Sequence, residues 1–135
     1  MEATGDKQLQ GSYITQELLK ELNKVGNRLL IGIPCERKEG EKRLALTPEA
    51  VDMLTDRGHR VLVESGAGLG INYSDNHYSE AGAEIVATPA EVFQADIILK
   101  ILPPLPQEIL LMKPRSTVFS MVQLNLFAQD AFELM

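Results

Sequence analysis

The chain has one cysteine, two histidines, no cluster of basic residues and no long apolar run. Each shortage removes a class of function. Cys35 has no partner for an internal disulfide, so the chain suits a reducing compartment. With no histidine or suitable charge cluster beside it, the thiol reads as a plain strand-end group. His59 and His77 have no second ligand at usable spacing, and Asp75-Asn76 lacks the rest of a calcium loop, so no metal is expected. With 13 basic against 19 acidic residues the net charge is −6, which argues against nucleic acid or an anionic membrane as partner. The apolar stretches fall short of the ~20 residues a membrane span needs, and the first dozen residues are polar and mixed rather than basic then apolar. A cytoplasmic protein with no membrane partner is expected.

What is present is ordinary for a globular protein: 135 residues, 44% hydrophobic and 24% charged, one domain's worth. Polar, glycine-containing residues 1–10 show no periodicity, and helical spacing of Ile14, Leu18, Leu19, Leu22 and Val25 predicts a helix over Thr15–Lys24 ending at Gly26. Then strands and helices alternate. Strands are expected at Leu29–Pro34, His59–Glu64, Ala83–Val86, Ile97–Ile101 and Thr117–Val122. Helices are expected at Thr47–Arg57, Ser74–Ala81, from Thr88 through Gln94, at Pro106–Met112 and from Leu126 onward. Thr47-Pro48 and Thr88-Pro89-Ala90-Glu91 supply N-caps followed by proline at the first helical position, where its missing N–H costs nothing. Near-continuous apolar strands separated by helices indicate an α/β, doubly wound, mostly parallel sheet with helices on both faces. The periodicity of Leu126–Met135 stops without glycine or cap, as expected of a chain cut near an interdomain helix.

Two side chains stand where such sheets bind ligands, at the carboxyl ends of strands. Arg43, in Glu41-Lys42-Arg43-Leu44-Ala45-Leu46-Thr47-Pro48, lies on the loop between the first strand and a helix start. Its planar guanidinium suits a small carboxylate, gripped by two parallel hydrogen bonds. The alternative is a surface ion pair with Glu36, Glu39 or Glu41. Lys100 ends the most apolar strand, before the stiff pair Pro103-Pro104. It either meets a ligand or a carboxylate there, or snorkels at the sheet rim. Gly66-Ala67-Gly68-Leu69-Gly70 follows a strand, but Ile71 stands where a dinucleotide fingerprint needs its third glycine or alanine. A glycine turn passing close to a neighbour is the better reading of that run.

Five stretches, Ile31-Gly32-Ile33-Pro34, Arg43 to Pro48, Gly58 to Gly68, Ala81 to Val86 and Asp96 to Lys100, together resemble a known family. It is the amino-terminal domain shared by alanine dehydrogenase and the α subunit of proton-translocating nicotinamide nucleotide transhydrogenase. The resemblance covers roughly residues 28–121. It implies an extension over 1–27 and a substrate domain over 28–135, with NAD bound by a following Rossmann domain and none of the cofactor site in this chain. By the resemblance, Arg43 and Lys100 hold the carboxylate and carbonyl of pyruvate, Lys100 being also catalytic. The implied reaction is NAD-dependent interconversion of L-alanine with pyruvate and ammonia, in a homo-oligomer.

The family's acid/base histidine, aligned from Lys100 without gaps, falls on Gln123. Glutamine cannot transfer a proton, and loss of a positioned acid/base costs on the order of 10² to 10⁴ in rate. Lys-Glu-Pro of the family becomes Leu102-Pro103-Pro104, removing two charges from the rim. Two alternatives follow. Transhydrogenase α subunits lack the histidine too, although their Pro-Ala-Gln-Asn stretch matches Leu124-Asn125-Leu126-Phe127 poorly. A non-catalytic paralogue that binds a carboxylate is the other.

Overall fold

Strand β1, Leu30–Ile33, is flanked on one side by β2, Arg60–Glu64, and on the other by β4, Ile97–Leu99. The computed structural model describes Gln16 and residues 28–120. Within them β3, Glu84–Val86, and β5, Thr117–Phe119, complete a five-stranded sheet in the order β3-β2-β1-β4-β5, every pair parallel. Ile31 faces Val61 on one side and Ile97 on the other.

Successive strand residues point to opposite faces, and both faces are covered. Ile31, Ile33, Val61, Val63, Ile97 and Leu99 pack in one cluster with Ala50, Val51 and Leu54 of α1, Pro48–Asp56, and with Tyr78 of α2, Asp75–Glu80. On the other face Leu62 and Ile98 pack with Val92 of α3, Pro89–Val92, and with Phe93, Ala95, Leu111 and Met112. The doubly wound α/β architecture follows from those two apolar layers.

The helix starts are those the sequence specifies. Thr47 accepts the Ala50 N–H at 3.3 Å with Pro48 in the first position, and Thr88 and Glu91 close a reciprocal capping box. Gly58, at φ +91°, ends the turn after α1 in a conformation that favours glycine.

Several ends are shorter than expected, each for a local reason. Strand β4 stops at Leu99 because the Ile101 and Leu102 N–H groups turn toward the Glu36 carboxylate. Helix α4 covers only Pro106–Ile109, because Leu111 and Met112 close with three-residue-back bonds before Pro114. Helix α3 ends at Val92, with Gln94 bonding back to Glu91 in the same way. A 3-10 turn at Leu69–Ile71 occupies part of what reads in sequence as loop. The helices expected over Thr15–Lys24 and beyond Leu126 fall outside the described residues, Gln16 excepted.

Strand order reverses at β1, so its crevice with β4 is the topological switch point, where sheets of this kind bind ligands. At the opposite ends of the strands, Asp96 ties β4 to β1. Its carboxylate accepts the Leu30 N–H at 3.0 Å and pairs with Lys113.

Candidate functional site

Lys100 leaves β4 at the switch point and turns inward, its side chain 2% exposed. Two carboxylates receive it. Glu36, three residues past β1, accepts its Nζ at 3.2 Å, and Glu108 in α4 has an oxygen 3.7 Å away. Glu36 is pinned in turn by the Ile101 N–H at 2.7 Å and the Leu102 N–H at 3.4 Å. Of the two readings of Lys100, the carboxylate partner is therefore present and the solvent-seeking one is not.

The charges continue past Lys100. Arg37 donates to Glu64 at the end of β2 at 2.6 Å and to the Cys35 carbonyl at 3.2 Å, and its Nε lies 3.8 Å from Glu108 Oε2. Three carboxylates thus face two cations across the carboxyl ends of β1, β2 and β4. Lys100, Glu36 and Glu108 are buried, and a buried charge group is a poor way to gain stability, since desolvation offsets most of the attraction, yet removing one of these partners costs about 3–5 kcal/mol. Glu108 Oε2 is buried and has no hydrogen-bond partner.

Arg43 is placed differently. Its guanidinium grips the Glu41 carboxylate with Nε at 2.9 Å and a terminal nitrogen at 2.7 Å, and its own N–H bonds the same carboxylate. Of the three glutamates the sequence offers, Glu41 is the partner. That hydrogen bonding holds the Glu41 carboxyl down to about 2 and raises Arg43, with the Glu36 charge adding to the rise. The Arg43 side chain remains 56% exposed. Glu36 therefore sits against Lys100 while its field reaches Arg43, although Arg43 and Lys100 themselves share no recorded bond.

The loop carrying Arg43 is backed by buried Leu44, Ala45 and Leu46. Fully buried Tyr78 donates its hydroxyl to the Leu46 carbonyl at 2.8 Å, and burial, aided by Tyr73 and Glu49, pushes that phenol above its usual range. A Cβ at Gly70 would lie 2.5 Å from the Lys42 carbonyl oxygen, and one at Gly68 2.5 Å from the Tyr78 ring. The glycine run therefore seats its backbone against the Arg43 loop and Tyr78, and it ends inside a three-residue 3-10 turn, Leu69–Ile71, not at a long helix. Those glycines are used in internal packing.

His59, His77 and Cys35 lie apart from Lys100 and Arg43 in the hydrogen bonding. The Leu29 N–H donates to His59 Nδ1 at 3.2 Å, and burial followed by the charges of Arg57 and Arg28 lowers this histidine. His77 Nδ1 accepts the Ser74 N–H at 2.9 Å at the start of α2. Burial first, then the Glu64 charge, pushes the Cys35 thiol up. Among the described residues no group of three or more His, Cys, Asp or Glu could hold a metal ion, and no helix is long and apolar enough to cross a membrane. Gln123 lies outside the described residues. A groove of about 390 Å³ lined by Pro104, Ile109, Met112, Lys113, Ser116 and Val118 includes none of the charged chain.

Sequence reasoning offered Glu36 to Arg43 rather than to Lys100, and missed Arg37 together with the carboxylates Glu64 and Glu108. A signal existed for two of them. Glu64 closes the apolar run Val61-Leu62-Val63, and Glu108 occupies the third position of a proline-started helix, where a carboxylate can reach back to the Leu105 N–H at 2.9 Å.

Comparison with known proteins agrees with this fold. The family model described as "Alanine dehydrogenase/PNT, N-terminal domain" matches residues 32–134. The alanine dehydrogenase of Bacillus subtilis (strain 168) is 44% identical over 96 residues, 71% of this chain and 25% of that protein. That of Methanococcus maripaludis is 44% identical over 97 residues, again 71% of this chain and 26% of the relative. Among solved structures, an L-alanine dehydrogenase superposes with TM-score 0.73 at 33% identity, over 78% of this chain and 29% of the other. A transhydrogenase from Sinorhizobium meliloti does so with TM-score 0.66 at 35% identity, over 69% and 28%. The chain spans about a quarter of the length of the curated relatives it matches. From its strand order to its matched residues, the chain belongs to the alanine dehydrogenase/PNT amino-terminal domain family.

Proposed function

We propose that this chain is the substrate-binding part of an alanine-dehydrogenase-like oxidoreductase, with residues 28–135 as the substrate domain and 1–27 as an extension. The net reaction is L-alanine, water and NAD+ going to pyruvate, ammonium, NADH and a proton. NAD, the hydride acceptor, is held by residues other than those described here. The observation that carries the reading is Lys100, a buried ammonium at the β1/β4 switch point in a chain 44% identical to alanine dehydrogenases.

Lys100 has three N–H groups and gives one to Glu36 at 3.2 Å, which leaves donor capacity for a substrate carbonyl oxygen. A fixed ammonium there stabilises negative charge developing on that oxygen. Arg43 takes the substrate carboxylate. Its bidentate grip on Glu41 is the geometry a small carboxylate needs, and exchanging an exposed pair of this kind costs only about 0–1 kcal/mol. Gln123 supplies no proton, so proton transfer runs through water or through a group elsewhere in the protein.

The test is NADH consumption by the full-length protein with pyruvate and ammonium. Turnover is expected, with Lys100→Met losing roughly 10²–10³-fold, the scale of removing one preorganised donor. A Gln123→His variant is expected to be faster. A silent parent and a silent histidine variant refute the reading. The transhydrogenase neighbour and the absence of histidine at position 123 favour one second reading, an α-subunit-like protein. Hydride exchange between NADH and NADP without pyruvate would mark that. Saturable pyruvate binding without any turnover would mark a carboxylate-binding paralogue.

A further inference from the structure

The ammonium of Lys100 rides on a flexible four-carbon stem, so β4 alone does not set where it points. Its direction is set by carboxylates from two other elements, Glu36 past β1 and Glu108 in α4, at 3.2 and 3.7 Å. Glu108 needs its own restraint. The Leu105 N–H holds Oε1 at 2.9 Å, while Oε2 is buried without a hydrogen bond and has Arg37 Nε as a cation 3.8 Å away. Arg37 is itself anchored, to Glu64 at 2.6 Å and to the Cys35 carbonyl at 3.2 Å.

We propose that Arg37 and Glu108 are positioning residues for Lys100, completing a charge chain Glu64–Arg37–Glu108–Lys100–Glu36, buried except at Arg37, that aims the ammonium at the substrate. The substrate part of this proposal rests on the function proposed above; the aiming part rests on the charge chain alone. Apolar residues would join these strand ends at no loss of stability, since buried ion pairs seldom outdo well-packed hydrophobic replacements. Five charges stand where packing would suffice, and two of them, Glu36 and Glu108, face one amine. Arg37 reaches Glu64 and faces Glu108 through different nitrogens, a role its planar fork allows and a lysine's single nitrogen does not.

The experiment is trace acetylation of the full-length protein with acetic anhydride, read peptide by peptide by mass spectrometry, with pyruvate kinetics measured alongside. In the parent, buried Lys100 is expected to label far more slowly than Lys113, which is 37% exposed and outside the charge chain. In Arg37→Gln and Glu108→Gln, Lys100 labelling is expected to rise several-fold while Lys113 stays unchanged. Glu108→Asp and Arg37→Lys should fall between parent and glutamine variants. The pyruvate KM is expected to rise roughly tenfold or more, with the NADH KM unmoved, as for a substrate contact displaced by a fraction of an ångström to an ångström. Unchanged Lys100 labelling in both glutamine variants overturns the proposal. So does a rise shared equally by Lys113, which would mean a merely structural role. If the glutamine variants do not fold, the Asp and Lys variants decide on the same two labels. A parent that never turns over pyruvate refutes the proposed reaction, while the labelling still decides whether Arg37 and Glu108 hold Lys100.

Discussion

Tyr78→Phe removes one oxygen from the core and frees the loop that carries Arg43. The ring is fully buried and its hydroxyl donates to the Leu46 carbonyl at 2.8 Å. Phenylalanine keeps the packing of the ring, so the loss is confined to the bond and to a backbone carbonyl left with no donor. A bond of this kind is worth about 0.5–1.5 kcal/mol, and an orphaned buried acceptor raises the cost to about 1–3 kcal/mol. With a loss of ~2 kcal/mol and a urea slope of ~2 kcal/mol per molar, the midpoint of unfolding falls by about 1 M at unchanged slope. Alkaline pH gives an internal control. Because the folded phenol lies above its ordinary value of 10.0, its contribution is complete below that pH and is lost as pH rises through the higher folded value. The gap between parent and variant should therefore narrow in strong base. A variant within about 0.5 kcal/mol of the parent at neutral pH would refute the claim that this bond anchors the loop.

Gly32→Ala places a methyl group against the Val92 carbonyl oxygen and 3.0 Å from the Ala95 side chain, neighbours that cannot rotate away, so thermal unfolding should reveal a loss of about 1–3 kcal/mol. His59 titrates lower in the folded protein than its ordinary 6.5, so stability falls as pH drops below that value toward the folded one. His59→Asn, which still offers an acceptor to the Leu29 N–H, should flatten denaturation midpoints measured across that window. Arg43→Gln should let the Glu41 carboxyl climb from about 2 toward its ordinary 4.5, visible in a carboxyl NMR titration. The same variant should weaken the loss of stability that the parent suffers as pH falls from 4.5 toward 2, since a depressed carboxylate stabilises above its unfolded value and ceases to below its folded one.

Much of the fold was legible in local chemistry. Apolar runs of strand length, separated by capped helices, are enough to specify a parallel sheet covered on both faces, and Thr47-Pro48 and Thr88-Pro89 mark helix starts correctly. Lys100 was legible as well, because a lysine at the end of an apolar strand requires a partner. The identity of that partner was not. Glu36 lies 64 residues away, so its meeting with Lys100 depends on strand order, which no local periodicity encodes, and Glu108 reaches Lys100 only through the way the β4–β5 connection folds back. Arg43 was ambiguous for the opposite reason. Three nearby glutamates compete for it, and only backbone geometry selects Glu41, whose carboxylate also takes the arginine's own N–H.

The strand order also dictates a sequence of events in time. β1 finds β2 across about 30 residues, Ile31 meeting Val61, but its other neighbour lies 66 residues on, Ile31 meeting Ile97. Closing the longer loop is slower, and on a ribosome adding ~5–20 residues per second β4 emerges roughly 3–13 s after β1. Until then one edge of the central strand is bare and Glu36 has no ammonium to meet. The β1/β4 crevice is thus built only after β2 and β3 have emerged, and a chain stalled before Leu99 offers an apolar edge on which another chain's strand could pair.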